Sequence, residues 1–109
     1  MRRVIIESPY AGATEAEIAA NRTYALECMR DCLRRGEAPF ASHVIYTLVL
    51  HDYFPADRQL GIDAGLAWGE IADATVVYID RGISPGMKLG IAHAERCGRP
   101  VEQRRLIVR

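Results

Sequence analysis

Two short stretches of this chain concentrate groups that can do chemistry. One is E-S-P-Y-A-G, carrying Glu7, Ser8, Tyr10 and Gly12; the other is D-R-G-I-S-P-G-M-K, carrying Asp80, Arg81, Gly82, Ser84, Pro85, Gly86, Met87 and Lys88. Carboxylates together with a phenol and a cation suit sugar chemistry. A carboxylate can attack an anomeric carbon, and a second acid can protonate the group that departs. The second stretch can equally hold a phosphate without any reaction, through Ser84, the backbone N–H groups near Gly86, and Lys88. His43 closes a third segment and joins the same candidate set.

Each group also has a plain structural use. Glu7 can bond N–H groups at a strand end, and Asp80 with Arg81 can be a turn ion pair. Arg30, Arg34, Arg35, Arg104 and Arg105 suit solvated faces. His43, His51 and His93 share no ligand spacing, and Cys28 and Cys32 stand four apart on one helix face, so neither a metal site nor a cofactor is expected. The sequence lacks G-x-x-x-x-G-K-[ST], and its first strand is not followed by G-x-G-x-x-G, which removes the P-loop and ordinary dinucleotide readings.

The elements that must position these groups are legible from pattern. Arg3 to Glu7 reads as a strand, broken by Ser8 to Gly12; Thr14-x-x-Glu17 reads as a capping box opening a helix whose apolar face is Ile18, Ala25, Met29 and Cys32, ended by Gly36. Ala38 to Ser42 is a second short strand, and His43 to Tyr53 a short helix or loop over the crevice. Pro55 and Asp57 open a further helix with an expected buried stripe of Leu60, Ala64, Ala67 and Ile71. Its Gly61, Gly65 and Gly69 form a column that packs on the sheet, meets a second subunit or admits a ligand.

The segment from Ala72 to Pro100 organises the rest. Ala74 to Ile79 is apolar and β-branched, as in a strand buried on both faces; Ser84 then caps a helix with Pro85 at its first position and Met87, Ile91 and Ala94 at helical spacing. Pro100 to Glu102 and Leu106 to Val108 supply one or two last strands. The alternation predicts an α/β fold: a small doubly wound, flavodoxin-like parallel sheet of four or five strands with helices on both faces. In such a sheet the loops at the carboxyl ends of the strands line the ligand crevice, and both stretches fall there.

At 109 residues the chain reads as one domain, 1–109. Its formal net charge of zero gives no field for nucleic acid or an anionic membrane, and no apolar run approaches the roughly 20 residues of a membrane span. An odd number of cysteines within helices points to reduced thiols and a cytoplasmic setting.

Glu7 to Gly12, Ala72-Asp73-Ala74 and the segment from Ser84 to Pro100 resemble the nucleoside 2-deoxyribosyltransferase-like superfamily. More closely, E-S-P-Y-A-G, R-G-E-A-P-F-A-S-H, G-L-A-W and D-R-G-I-S-P-G-M resemble a group of short bacterial and phage proteins of uncharacterised function assigned to it. The resemblance implies a flavodoxin-like sheet, a homodimer or larger homo-oligomer, and a small nucleoside or nucleotide as partner. In those transferases a tyrosine follows the first strand, an aspartate follows an A-D step, and a glutamate nucleophile begins a segment written E-[IL]-G-x-A. Tyr10 matches the first and Asp73 the second. At the third this chain reads K-L-G-I-A, with Lys88 in the nucleophile's place. A lysine cannot form the glycosyl ester, so the catalytic set implied is Glu7, Tyr10 and Asp80, with Lys88 favouring an anionic ligand. Binding without catalysis, to sense or sequester a nucleotide-derived ligand, is the alternative.

Overall fold

The structure is a computed structural model that describes residues 1–106. In chain order the elements are β1 (Arg2–Glu7), α1 (Glu15–Arg34), β2 (Glu37–Phe40), α2 (Ser42–Ile45), a single 3-10 turn (Tyr46–Leu48), α3 (Pro55–Gly69), β3 (Ala74–Tyr78), α4 (Pro85–Arg96) and β4 (Val101–Arg104). Among the described residues the strands form one parallel sheet in the order β2-β1-β3-β4. The doubly wound α/β expectation holds. The second of the two expected C-terminal strands, Leu106 to Val108, runs outside the described residues.

Strand alternation divides the core into two layers. Val4, Ile6, Ala74, Val76 and Tyr78 face α1, where they cluster with Tyr24, Cys28 and Cys32. The alternate residues face α3 and α4: Thr75 accepts a hydrogen bond from Arg99, which also reaches the Gly69 carbonyl, and Glu7 lies against Gly90. Every residue of β3 is buried, as its unbroken apolar run requires.

The helix starts follow their sequence signals. Thr14 Oγ1 accepts from Glu17 N at 3.1 Å, although the Glu17 carboxylate returns to the N–H of Ala13 and not to that of Thr14. Ser84 caps α4, with Pro85 at its first position. Gly36 (φ 81°) and Gly98 (φ 70°) follow α1 and α4 in the left-handed region, where glycine carries no Cβ penalty.

Two faces differ from expectation. The buried side of α1 is Tyr24, Ala25, Cys28 and Cys32, with Met29 only half-buried. On α3 the expected stripe is not the buried one: Leu60 is 59% exposed, Ala67 is exposed, Ala64 is half-buried, and Ile71, beyond the end of the helix, is also 59% exposed. The glycine column is the packing face instead: Gly61 stands beside Tyr46 and Leu50, Gly65 beside Ser42, and Gly69 beside Arg99. The reason is the partner. The segment carrying α2 and the 3-10 turn approaches α3 so closely that a Cβ at Gly65 would lie 2.8 Å from Ser42 Oγ, so only the column without side chains fits there.

Candidate active site

Glu7 is the last residue of β1, and the loop it begins stands beside the loop after β3 at the carboxyl edge of adjacent strands. Its side chain reaches across to α4 and rests against Gly90, where a Cβ would overlap the carboxylate. Burial pushes the Glu7 carboxyl up to about 8, against a weaker downward pull from the Arg99 guanidinium. No hydrogen bond engages it among the described residues. It is therefore a protonated, uncommitted acid at neutral pH.

Beside it, Ser8 is 5% exposed, and its Oγ shares a hydrogen bond of 2.7 Å with His43 Nε2. Burial pulls the His43 imidazole down to about 4, so the pair is neutral at pH 7. It fastens the start of α2 to the loop after β1. Tyr10 is half-buried, and its carbonyl accepts from Asn21 Nδ2 at 3.0 Å. Gly12 is exposed and abuts Glu17, whose Cβ would lie 2.6 Å from a Cβ at position 12.

Asp80 is differently placed. One oxygen takes the Tyr24 hydroxyl at 2.6 Å, and both are within 3.1 Å of the Leu106 N–H; its own N–H donates to Tyr24 Oη at 3.1 Å. Burial acts to raise this carboxyl, but the Tyr24 hydroxyl and the backbone N–H groups outweigh burial and hold it below the usual range. Next to it, Arg81 stacks over the Tyr24 ring at 5.3 Å and donates to Asn21 Oδ1 at 3.3 Å. Gly82 takes φ 82°, and its N–H closes the turn on Ile79 at 3.0 Å.

The α4 N-terminus is partly occupied by its own cap. Ser84 Oγ accepts from Met87 N at 3.3 Å, and the Ser84 N–H donates to Met87 Sδ at 3.3 Å. Pro85, Gly86 and Lys88 are exposed, and Lys88 makes no ion pair among the described residues.

Two candidates do not join this edge. Met87 is 1% exposed and belongs to the core, because a helix capped at Ser84 turns its third residue inward. Asp73 precedes β3 and so stands at the amino end of the sheet, where it accepts from Arg3 N at 2.7 Å. Strand polarity separates it from Glu7, since Ala74 pairs with Val4 and Glu7 with Val77.

Asn21 and Tyr24 were missed by the sequence reading, although they tie the two loops together. An asparagine in a helix interior, where it is disfavoured, and a tyrosine next to an apolar face were the available signals. A hollow of about 250 Å³ lies elsewhere, on the β1–β2 face, with Ile5, Phe40, Trp68 and Ile71 in its walls. It is mainly apolar and contains none of the strand-end groups. Among the described residues no group of three or more His, Cys, Asp or Glu could hold a metal ion, and no helix is long and apolar enough to cross a membrane.

No curated protein matches this sequence. Among solved structures, the fold is similar to that of a 2-deoxyribosyltransferase from the psychrotolerant bacterium Bacillus psychrosaccharolyticus. The TM-score is 0.67 at 18% identity, over 98% of this chain and 77% of that one. The sequence matches the model described as "Domain of unknown function (DUF7768)" over residues 2–104, and the chain belongs to that family.

Proposed function

We propose that this chain handles nucleosides or nucleotides at the carboxyl edge of β1 and β3, and that Glu7 is the carboxyl group that breaks an N-glycosidic bond there. The fold shared with a 2-deoxyribosyltransferase supports the nucleoside class. The observation that carries the reading is the contrast between the two acids: Asp80 has its oxygens engaged by Tyr24 and Leu106, whereas Glu7 arrives unengaged at α4. In the transferases that this sequence resembles, the nucleophilic glutamate stands on that helix segment, at the position of Lys88. Here a carboxyl group reaches the same helix from β1, against Gly90 two residues further along.

Protonated at neutral pH, Glu7 serves first as an acid. The C1′–N bond breaks with its electron pair going to the base, and the Glu7 proton goes to the base nitrogen. Water, or the hydroxyl or amine of an acceptor, then adds at C1′ and returns a proton to the Glu7 carboxylate. Tyr10 positions the sugar, and Asp80 holds the neighbouring loop in place.

A second reading, capture of an intact nucleotide without turnover, is favoured by Arg81 and Lys88, exposed cations without carboxylate partners among the described residues. Exposed Leu48, Val49, Tyr53 and Phe54 support a homodimer or larger assembly, and the free thiols of Cys28, Cys32 and Cys97 support a reducing, cytoplasmic setting. The membership suggested by E-S-P-Y-A-G, in a group of short bacterial and phage proteins, belongs to the same proposal.

The test is to incubate the protein with nucleosides, 2′-deoxynucleoside 5′-monophosphates and NAD-type nucleotides, then to chromatograph the filtrate and the material released on denaturation. Free base beyond one equivalent, abolished in Glu7→Gln, supports the enzyme. Intact nucleotide released from the protein without free base supports capture. Neither product would remove the nucleoside reading.

A further inference from the structure

The loops that follow β1 and β3 are joined through one face of α1. Asn21 Nδ2 donates to the carbonyl oxygens of Tyr10 at 3.0 Å and Ala11 at 3.2 Å, while Asn21 Oδ1 accepts from Arg81 Nη1 at 3.3 Å. One helical turn further along, the Tyr24 ring supports the same guanidinium, 5.3 Å from its carbon. An amide oxygen and an aromatic face orient a guanidinium, but neither neutralises it. Arg81 makes no salt bridge among the described residues. Its neighbour Asp80 is occupied by Tyr24 and the N–H of Leu106. An aimed and uncompensated guanidinium therefore stands exposed at the edge that carries Glu7 and Tyr10.

We propose that Arg81 selects a nucleoside 5′-monophosphate over the bare nucleoside, and that Asn21 is the positioning residue that aims it. The proposal rests on the nucleoside reading above. A planar fork matches two phosphate oxygens at once, which gives direction as well as charge. Lys88 is a cation on a flexible stem that makes no ion pair among the described residues, so it adds attraction without geometry. Asn21 sets the position of the loop after β1 and of the guanidinium together, so a phosphate on Arg81 fixes the sugar relative to Tyr10.

Calorimetry on the intact chain separates the possibilities without requiring turnover. The probes are the four common 2′-deoxynucleosides, their 5′-monophosphates and inorganic phosphate. A monophosphate is expected to bind at least about tenfold more tightly than its nucleoside. That advantage, read as the ratio of the two affinities for each variant, disappears in Arg81→Gln and shrinks several-fold in Asn21→Ala. Because Arg81 is exposed, Arg81→Gln is expected to fold, and Arg81→Lys, which keeps the charge but not the fork, is expected to recover only part of the advantage. Equal binding of nucleoside and monophosphate overturns the assignment and leaves the nucleoside reading standing. An advantage retained in Arg81→Gln and lost in Lys88→Gln overturns it in favour of α4. Binding of neither nucleosides nor monophosphates overturns both.

Discussion

The Glu7 carboxylate lies so close to Gly90 on α4 that a methyl group at position 90 would overlap it. This contact gives a prediction whose sign depends on the partner. Alanine in a helix interior is better than glycine by about 1 kcal/mol. Overpacking costs about 1–3 kcal/mol. Gly90→Ala is therefore expected to destabilise the native chain, and to stabilise it by up to about 1 kcal/mol in a Glu7→Ala background. Urea unfolding of the four chains measures the cycle. The same change in both backgrounds would mean that the side chains of the two positions do not meet.

Glu7 also predicts a pH dependence. Its carboxyl is pushed up to about 8 from an ordinary 4.5, so the folded chain holds a proton that the unfolded chain releases. Between those values Glu7 is more protonated in the folded state, so its own contribution to stability falls as pH rises. Glu7→Gln removes this contribution, and the stability difference between the two chains is expected to change by on the order of 3–4 kcal/mol between pH 5 and pH 8. If Glu7 is the acid of the reaction, turnover falls through the same upper limb. A carboxyl carbon resonance that titrates near 4.5 in the folded chain would remove both expectations.

Much of this arrangement was legible in sequence because its signals are local. The unbroken run of β3, the Ser84–Pro85 start of α4 and the Thr14 cap each depend on residues a few positions apart, and each is present. What escaped depends on partners distant in sequence. Asp73 enters the candidate set only through the resemblance, and the parallel register places it at the opposite end of β3 from Glu7. The exposure of Leu60 and Ala67 was hidden because the periodicity of α3 cannot say that a glycine face will be chosen by a close neighbour. Asp80 reads as a catalytic carboxyl or as a turn ion pair with Arg81, since nothing near it in the chain foretells Tyr24, 56 residues away.

That Tyr24–Asp80 pair gives a third prediction. Tyr24→Phe deletes both a 2.6 Å bond to the carboxylate and the acceptor for the Asp80 N–H at 3.1 Å. The loss is expected to be about 1–3 kcal/mol. It also shifts acid sensitivity. Asp80 is held below its ordinary 3.8, so it contributes stability above that value that is lost as pH falls through the folded value. Without the hydroxyl the folded value rises, so this loss is smaller and is complete at a higher pH. Acid unfolding curves of the two chains should separate; superimposable acid limbs would show that the phenol does not hold the carboxylate.

On the α1 face, Arg104 holds Glu37 through two bonds of 2.7 Å, with both side chains 7% exposed. The bond to Arg104 is the main reason that Glu37 is held below its ordinary value despite its burial. Arg104→Ala leaves the Glu37 carboxylate only the half-exposed Arg2, at 3.1 Å, and is expected to cost up to about 3–5 kcal/mol. Arg104→Lys, which cannot reproduce the fork, is expected to recover only part of this. A double change of Arg104→Met with Glu37→Leu should be much milder than either single change. Additive losses in denaturant unfolding would show that the pair is not coupled.

His43 opposes Glu7, and the two together set where the chain is most stable. Its imidazole is pulled down to about 4 from an ordinary 6.5 by burial against Ser8, so the folded chain refuses a proton that the unfolded chain takes. That contribution is complete above 6.5 and is lost as pH falls through about 4. Glu7 contributes in the other direction from 4.5 upward. Between 4.5 and 6.5 the slopes cancel, each about 1.4 kcal/mol per pH unit at most. Above 6.5 only the Glu7 slope remains, so stability is expected to decline from there towards pH 8. His43→Gln should expose a decline that begins near 4.5, and Glu7→Gln a rise that ends near 6.5. Changing both should leave the interval flat. Thermal melts of the four chains across this range measure it, and a single variant as flat as the double would show that one of the two groups is not buried as described.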